Sequence, residues 1–381
     1  MYDLTDLDAT AEQRDAQLQE LRDHDPVAWD DRNGWWLITR HADVTAVSRD
    51  TERFTNTKGV TFFNPVMLSM ITTDPPEHTQ IRRMVSKQFT PRMVNQLRDL
   101  AAERVSTGID RLLDDGGGDF VDTVAVPMTL SVIMQMLGIR AERLDDIRRW
   151  SDDMMLASGR FHVPGVVEKA MAAAQAWHAH LATHIDDKRN RPGTDLLSLV
   201  ASDDERPLTD EELHEFALLL IVAGNETTRH TSSFMIELLA RHPETVAELQ
   251  ADRSLVPAAV TEVLRHTSVV RTMSRHANVD VVLGDKTIRA GDMVNLLYPS
   301  ANRDADVFAD PYHFDIHRSP NPQIAFGIGT HYCLGANLAQ LQIGVALEGW
   351  LDRIDAFEVT DLALMNTGVV SGVERLVVEV R

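Results

Sequence analysis

Apolar positions recur with the spacing of amphipathic helices over most of the chain. A first helix is predicted over Ala11–His24, and a mainly helical stretch over about 78–241. Two short apolar runs, 27–29 and 35–39, flank turn residues and predict a hairpin. Further strands are predicted at 281–283, 293–297 and 376–380. The pattern predicts a mainly α fold with small β-sheets. Because no linker rich in Pro, Gly or Ser divides the chain, we expect one domain over residues 1–381.

One predicted helix is unusually long and has an irregular centre. Thr209 and Glu212 form a capping-box pattern, and the apolar period continues to Arg241 before a proline ends it. At 1.5 Å per residue this helix is roughly 48 Å long. Its centre, 223–228, reads Ala-Gly-Asn-Glu-Thr-Thr, which combines poor helix formers with an acid. This segment predicts either a functional break, where a Thr hydroxyl bonds back to a carbonyl, or a packing glycine beside a solvent-facing Glu.

Composition excludes several classes of protein. The 381 residues are 44% hydrophobic and carry a net charge of −21, which fits a globular protein and argues against a nucleic-acid partner. No apolar run is long enough for a membrane anchor, and the acidic N-terminal region lacks the pattern of a signal peptide, so we expect a cytoplasmic protein. The single cysteine, Cys333, rules out an intrachain disulfide and a multi-cysteine metal site.

The lone cysteine lies in a specific frame. Phe326 stands seven residues before it, Gly329 four before and Gly335 two after. Glycines allow a tight turn and a close approach to a flat ligand. A helix is predicted over 334–347, and a helix N-terminus favours a thiolate. A thiolate presented alone by such a loop suits a single axial bond to haem iron; the alternative is a buried structural cysteine.

With this frame, the sequence closely resembles the cytochrome P450 family, the haem-thiolate monooxygenases, over essentially the whole chain. The Cys333 frame resembles the family's haem-binding loop, and the segment 223–227 resembles its oxygen-activating helix. Three further stretches match in order: His-x-x-x-Arg at 78–82, Glu-x-x-Arg at 262–265, and Phe-Asp-Ile-His-Arg at 314–318. The resemblance implies the family's mainly α fold with a long central helix.

The resemblance also implies the site residues. Cys333 would be the ligand to the iron of haem b, and its thiolate would promote O–O cleavage. The expected haem contacts are Ala223, Gly224, Phe326, Gly327 and Gly335, and the expected propionate contacts are His78, Arg82, Arg275 and His331. Glu226 and Thr227 would supply the acid and the hydroxyl of a proton relay to O2, whereas Thr228 is interpreted as packing.

Glu262 and Arg265 are three residues apart and share a helix face. By resemblance, Arg318 adds a second guanidinium, which makes a buried structural ion-pair network. The alternative from spacing alone is a solvated surface pair.

Monooxygenation consumes two electrons, ultimately from NAD(P)H, and the chain has no dinucleotide fingerprint. We therefore expect a separate ferredoxin or flavodoxin, with Arg83, Lys87 and Arg92 as candidate docking residues or, alternatively, as a solvated helix face. Many bacterial relatives have Arg and Glu where this chain has Gln340 and Gln342, which is expected to remove a cation and an anion from the surface near the cysteine.

The substrate is expected to be apolar, such as a steroid, a terpenoid or a fatty acid. Candidate pocket residues, for which ordinary core packing is the alternative, are Val60, Phe62, Phe63, Met67, Leu219, Val222, Val269, Val270 and Val369.

We expect the chain to be a monomer. Three rival functions stay open at this point. The first is a hydrogen-peroxide-dependent peroxygenase on the same fold, disfavoured by the Glu226-Thr227 pair. The second is a non-catalytic haem sensor or carrier. The third is a metal site at His178, His180 and His184, for which a solvated polar face is the better interpretation.

Overall fold

The computed structural model describes residues 2–62, 69–87, 91–140, 143–160 and 163–381. The helices are α1 Ala11–His24, α2 His41–Arg49, α3 Glu77–Ser86, α4 Pro91–Asp115, α5 Val126–Leu137, α6 Leu144–Arg160, α7 Val166–Asn190, α8 Leu196–Ala201, α9 Asp210–Arg241, α10 Pro243–Ala251, α11 Val256–Thr267, α12 Tyr298–Ala301 and α13 Ala336–Arg353. The strands are β1 Val27–Asp30, β2 Trp35–Ile38, β3 Phe54–Thr55, β4 Gly117–Asp119, β5 Thr272–Ala277, β6 Val281–Leu283, β7 Lys286–Ile288, β8 Met293–Leu297, β9 Phe357–Asn366 and β10 Ser371–Val380.

Contacts group the chain into two compact units, each assembled from separate segments. The first unit comprises Met1–Gln80, Thr261–Leu334 and Asn366–Ser371. The second comprises Ile81–Val260, Gly335–Met365 and Gly372–Arg381. The mainly α class with small sheets is confirmed, while the single domain stays a prediction. Among the helices of the described residues, none is long and apolar enough to cross a membrane.

A five-stranded sheet organises the first unit, in the order β1-β2-β8-β5-β3. The predicted hairpin is confirmed: β1 and β2 are antiparallel, and Val27 lies opposite Ile38. All four residues of β2 are buried, which explains its continuous apolar run. The core side chains of this sheet pack with α2 through Val44 and Val47.

A fully buried carboxylate holds the irregular chain of the first unit in place. Arg265 binds Glu262 through two bonds of 2.7 Å, from Nε to Oε2 and from Nη2 to Oε1. Arg318 Nε adds a bond of 3.3 Å to Glu262, and Asn321 Nδ2 adds one of 3.0 Å. Both members of the central pair are 0% exposed, so the solvated alternative is wrong. The predicted network of Glu262, Arg265 and Arg318 forms.

The same two arginines bind backbone carbonyls of the segment that follows α12. Arg265 donates to the carbonyls of Asn302, Pro311 and His313, and Arg318 donates to those of Ala309, Asp310 and His313. A stretch with almost no regular secondary structure is thus fixed by side chains instead of by a backbone ladder.

Helix α9 is the longest helix of the second unit, with 32 residues. The predicted capping box is present: Thr209 Oγ1 accepts from the Glu212 N–H at 3.2 Å, and Glu212 Oε2 accepts from the Thr209 N–H at 2.8 Å. Trp350 of α13 is fully buried between the rings of Phe120 and Phe357, at 5.5 and 5.0 Å. A small sheet, β4-β10-β9, carries the C-terminal strand.

Removal of the buried carboxylate tests the network. Glu262→Ala leaves two guanidinium groups without their anion, so we expect it to lower the free energy of unfolding by about 3–5 kcal/mol. Glu358→Ala is the matched control, because Glu358 pairs with Arg381 at the surface, where the two side chains are 55% and 74% exposed. We expect the control to change stability by less than about 1 kcal/mol. Urea unfolding of the purified protein measures both, and equal effects would contradict the assignment.

Candidate active site

The loop before Cys333 is folded onto itself and onto α2. The Cys333 N–H donates to the Phe326 carbonyl at 2.9 Å. Gly327 and Gly329 have φ values of +68° and +79°, in the left-handed region that favours glycine. A Cβ at Gly329 would also lie 2.8 Å from the Ser48 carbonyl oxygen. The turn therefore favours glycine at 327 and 329, and the close approach of α2 also requires it at 329.

Cys333 is half-buried and precedes the N-cap of α13, Gly335, by two residues. The helix predicted over 334–347 starts two residues later, at Ala336, and ends at Arg353. Cys333 therefore stands just before the first helical turn. Phe326 is also half-buried, with its ring 6.3 Å from the ring of Tyr332.

The Cys333 loop is connected to the buried ion-pair network through a short chain of hydrogen bonds. Arg265 Nη1 donates to the Asn302 carbonyl at 2.9 Å. The side chain of Asn302 then accepts from the Ile324 N–H at 2.8 Å, and the Ile324 carbonyl accepts from the Gly327 N–H at 2.9 Å. The Glu262 pair thereby fixes where the cysteine loop begins.

The burial and the hydrogen bonds of Arg275 indicate whether the first unit can hold an anionic group. Its guanidinium is 5% exposed, and burial lowers its pKa. It donates one hydrogen bond, from Nη1 to the Ser274 carbonyl at 2.8 Å, and it forms no ion pair with a carboxylate of the described residues. A buried cation with N–H groups to spare fits a carboxylate such as a haem propionate. The residues present therefore fit the group that the sequence predicts.

The other predicted propionate residues lie at two places. His78 is buried, and its ring centroid is 4.2 Å from that of His331, so the structure brings these two residues together in the first unit. Helix α3 carries both His78 and Arg82, one turn apart as the spacing predicts, and Arg82 is half-buried.

The centre of α9 presents accessible backbone within a buried helix. Ala223 is exposed, whereas Gly224 and Thr227 are half-buried. The Thr227 hydroxyl donates to the Ala223 carbonyl at 2.7 Å, which is the back-bonding that the sequence predicts. Gly224 also serves close helix packing, because a Cβ there would lie 2.6 Å from Ile133 Cδ1 of α5.

Glu226 is buried, so the prediction of a solvent-facing Glu is wrong. Oε2 accepts from Arg229 Nη2 at 2.9 Å and lies 3.2 Å from His230 Nε2. Oε1 accepts from Ser151 Oγ of α6 and from Asn225 Nδ2, both at 3.3 Å. Burial alone would raise the pKa of Glu226, but Arg229 and His230 outweigh it and lower that pKa to about 2. The carboxylate is held as an anion.

Asp152 of α6 is the second carboxylate of this cluster. It accepts from Arg229 Nη1 at 2.8 Å, so that Arg229 bridges it to Glu226. Burial and the charge of Glu226 raise the pKa of Asp152 to about 6, although Arg229 opposes the rise. Its side chain is 32% exposed. The environment thus separates the two pKa values, and the carboxyl group nearer solvent is the one that exchanges a proton close to neutral pH.

The candidate pocket residues are mostly found in partly buried positions. In the first unit, the Val60 carbonyl accepts from the Ser274 N–H, and Phe62 packs on Trp35. Val270 pairs with Val370 across an isolated bridge, and the Arg271 N–H donates to the Val369 carbonyl at 2.7 Å. Val269 is buried in the same unit, while Leu219 and Val222 lie on α9 of the second unit; Phe63 and Met67 lie outside the described residues.

The candidate docking residues give a mixed result. Arg83 and Lys87 are exposed, and Arg83 lies 3.7 Å from the exposed carboxylate of Glu205. The side chain of Arg92 lies outside the described residues. Gln342 is 1% exposed, so the prediction that it alters the surface is wrong: this position changes the interior.

Two pairs of histidine rings of the second unit are in contact, one pair stacked and the other edge-on. The ring centroids of His178 and His214 are 3.8 Å apart, and those of His180 and His184 are 4.9 Å apart. Within the described parts of the chain, no group of three or more His, Cys, Asp or Glu side chains is arranged to hold a metal ion.

Four residues around Glu226 were not singled out from the sequence. Arg229 and His230 follow Glu226 by three and four residues, so the spacing rule for helix faces could have found them. Ser151 and Asp152 come from α6, and no local sequence signal connects them to α9.

Comparisons with known proteins show which proteins this chain is similar to. The family profile described as Cytochrome P450 matches residues 37–361. The steroid C26-monooxygenase of Mycolicibacterium smegmatis is 36% identical, over 93% of this chain and 90% of that protein. The nocardicin C N-oxygenase of Nocardia uniformis is 37% identical, over 84% and 81% of the two chains. A Mycobacterium marinum cytochrome P450 solved in complex with pseudoionone has a TM-score of 0.92 and 32% identity, and the match covers 99% of both chains.

The carboxylate pair predicts a specific pH dependence of stability. The pKa of Asp152 is raised in the folded protein, so its stabilising contribution is complete below pH 3.8 and is lost as the pH rises through about 6. We expect wild type to lose at most about 1 kcal/mol more than Asp152→Asn between pH 5 and pH 7, because the carboxyl group is a third exposed.

Urea unfolding at the two pH values measures this difference. Asp153→Asn on the same helix is the control and should follow wild type, since Asp153 makes none of these contacts. An Asp152→Asn protein with the same pH dependence as wild type would contradict the separation of the two pKa values.

Proposed function

The chain belongs to the cytochrome P450 family of monooxygenases, and on that premise we propose that it inserts one oxygen atom of O2 into an apolar organic substrate, with electrons from a separate redox protein. The observation that carries this proposal is the lone, half-buried Cys333, which follows a loop shaped by two glycines with positive φ. The same unit contains a buried guanidinium, Arg275, with donors to spare. These are the two features that a haem with anionic propionates needs from a protein.

Haem b, bound through the Cys333 thiolate, would supply the iron chemistry that activates O2. In this proposal the propionates would accept hydrogen bonds from Arg275, His78, His331 and Arg82. The remaining haem contacts would come from Phe326, Gly327, Gly335, Ala223 and Gly224. This assignment is supported by the burial of Arg275 and by the contact between the two histidine rings.

Thr227 and Glu226 form the proton relay in this proposal. The Thr227 hydroxyl donates its hydrogen bond to the Ala223 carbonyl, so its lone pairs remain to accept a hydrogen bond from water. Glu226 stays ionised near neutral pH and therefore acts as an acceptor. Asp152, which is partly exposed and accepts a hydrogen bond from Arg229, is the member of the pair that exchanges protons with solvent.

The substrate in this proposal is a steroid or a terpenoid-like lipid. The candidate pocket residues are aliphatic or aromatic, so they offer contact area but few hydrogen bonds. A relative named for steroid C26 oxidation and a structural neighbour that binds pseudoionone agree with an apolar substrate. The nocardicin relative acts on a different class, so family membership alone does not select the substrate.

Electrons come from a ferredoxin or flavodoxin, ultimately from NAD(P)H. We propose that the redox protein docks at Arg83, Lys87 and Arg92. The exposure of Arg83 and Lys87 supports this assignment, since exposed cations steer acidic redox proteins on a chain whose net charge is −21.

The thiolate is tested by spectroscopy. Cys333→Ser removes the only cysteine of the sequence, so the reduced, carbon-monoxide-bound protein should lose the long-wavelength Soret band that thiolate ligation produces. Thr330→Ser, three residues earlier in the same loop, is the control and should keep it. A Cys333→Ser protein that retains the band, or a wild type that binds no haem, would overturn the proposed function.

The relay is tested by a pair of neighbouring threonines. Thr227→Ala removes the hydroxyl, and we expect about 10-fold less product per NADPH consumed, with the difference released as hydrogen peroxide. Thr228→Ala is the matched control, because Thr228 is 3% exposed and is interpreted as packing. Product and peroxide are measured with a surrogate ferredoxin system and pseudoionone. Equal coupling in wild type and Thr227→Ala would contradict the relay.

A further inference from the structure

We infer that His230 is a positioning residue that holds the Glu226 carboxylate, and that Gly372 is glycine because His230 occupies the space of a side chain there. This inference rests on the proposed role of Glu226 in proton delivery. It concerns α9 and the start of β10, both in the second unit. No motif in the sequence marks either residue for this function.

The two ring nitrogens of His230 have different partners, and the partners define the tautomer. The Val373 N–H donates to Nδ1 at 3.1 Å, so Nδ1 carries no proton. Nε2 lies 3.2 Å from Glu226 Oε2, which as a carboxylate oxygen can only accept. Nε2 therefore carries the proton and donates it. His230 is 0% exposed, and burial keeps the ring neutral by lowering its pKa.

Strand β10 passes so close to the His230 ring that there is no space for a side chain at position 372. A Cβ built on Gly372 would lie 2.6 Å from Nε2, 2.7 Å from Cε1 and 2.9 Å from Cδ2 of His230. Real Cβ atoms do not approach other atoms so closely. The glycine is thus required by the position of the ring, and the ring is held by the next residue of the same strand.

His230 and Arg229 are neighbours on α9 and bind the same oxygen of Glu226, but each has its second partner on a different element. Arg229 also binds Asp152, whose carboxyl group is partly exposed and titrates near pH 6. Arg229 therefore donates both to Glu226 and to a carboxyl group whose charge changes. The second partner of His230 among the described residues is a backbone N–H, whose charge does not change. His230 is thus the donor to Oε2 whose surroundings stay constant while Asp152 gains and loses its proton.

Two substitutions separate the two bonds of the ring. In His230→Gln the side-chain amide reaches the position of Nε2 and can still donate to Glu226, but Nδ1 is lost. In His230→Asn the amide corresponds to the Nδ1 position and can accept from Val373, but it does not reach Glu226. If His230 positions the carboxylate, the Gln variant keeps coupling close to wild type and the Asn variant loses it by about 10-fold.

A merely structural role gives another result. In that case the loss of coupling follows the loss of thermal stability in both variants, or both variants couple like wild type, and either result overturns the inference. Coupling is measured as product per NADPH with pseudoionone and a surrogate ferredoxin system. The tautomer is read independently of activity from nitrogen-15 correlation spectra of the histidine-labelled, ferrous carbon-monoxide protein, with His230→Gln used to assign the signal.

A double-mutant cycle tests Gly372 by stability alone. We expect Gly372→Ala to lower the melting temperature of the holoprotein by several degrees, about 2–6 °C, because it overpacks against the ring. In a His230→Ala background the same substitution should have little effect, since the space is then empty. A Gly372→Ala effect that is equal in both backgrounds would show that the ring does not require the glycine.

Failure of the proposed relay and failure of the positioning role of His230 give different results. If Glu226→Gln couples like wild type, the relay fails, whereas the cycle and the tautomer spectrum still test the contact of His230. If Glu226→Gln uncouples the enzyme but His230→Asn does not, the relay stands and the positioning role of His230 fails.

Discussion

The fully buried pair of Glu262 and Arg265 is the interaction on which the cysteine loop depends. Two charges removed from water would destabilise the fold unless nearly every polar atom found a partner. Here the carboxylate accepts from two arginines, an asparagine and the Asp315 backbone N–H, and Arg265 donates its remaining protons to carbonyls. Those carbonyls belong to a segment with almost no helix or strand, so the pair replaces the missing backbone ladder. The bonds then continue through Asn302 and Ile324 to Gly327.

The centre of α9 is a second place where polar burial outweighs local preference. A helix built only for stability would not place Gly, Asn and a carboxylate at three consecutive positions, two of them fully buried. The carboxylate is tolerated because α6 and its own helix supply four donors. Asn225 also accepts from Thr129 of α5 at 2.8 Å. Sequences depart from local rules where function requires it, and this departure coincides with the accessible backbone of Ala223.

The sequence predicts those elements whose signals are local. The bounds of α1 are met, as are the capping box of α9, the hairpin of β1 and β2, and strand β8, because caps, turns and apolar periods are encoded within a few residues. Strand β9 was not predicted, since it carries many exposed polar residues and depends on its neighbours for pairing. The pair of Glu262 and Arg265 could be found by spacing, but its burial could not, because the same spacing also fits a solvated surface pair.

The difference between local signals and contacts from distant elements also explains which residues around Glu226 were not identified from the sequence. Glu226 was identified from its motif. The alternative of a solvent-facing Glu was wrong, because the exposure of Glu226 depends on its contacts with α6. Asp152 lies some seventy residues earlier and has no motif, yet it determines which carboxyl group holds a proton. Arg229 and His230 lower the pKa of Glu226 to about 2, whereas burial raises that of Asp152 to about 6, so a proton bound by this pair resides on Asp152. Chemistry that depends on a separation of pKa values therefore requires contacts between elements, which a reading of single motifs does not contain.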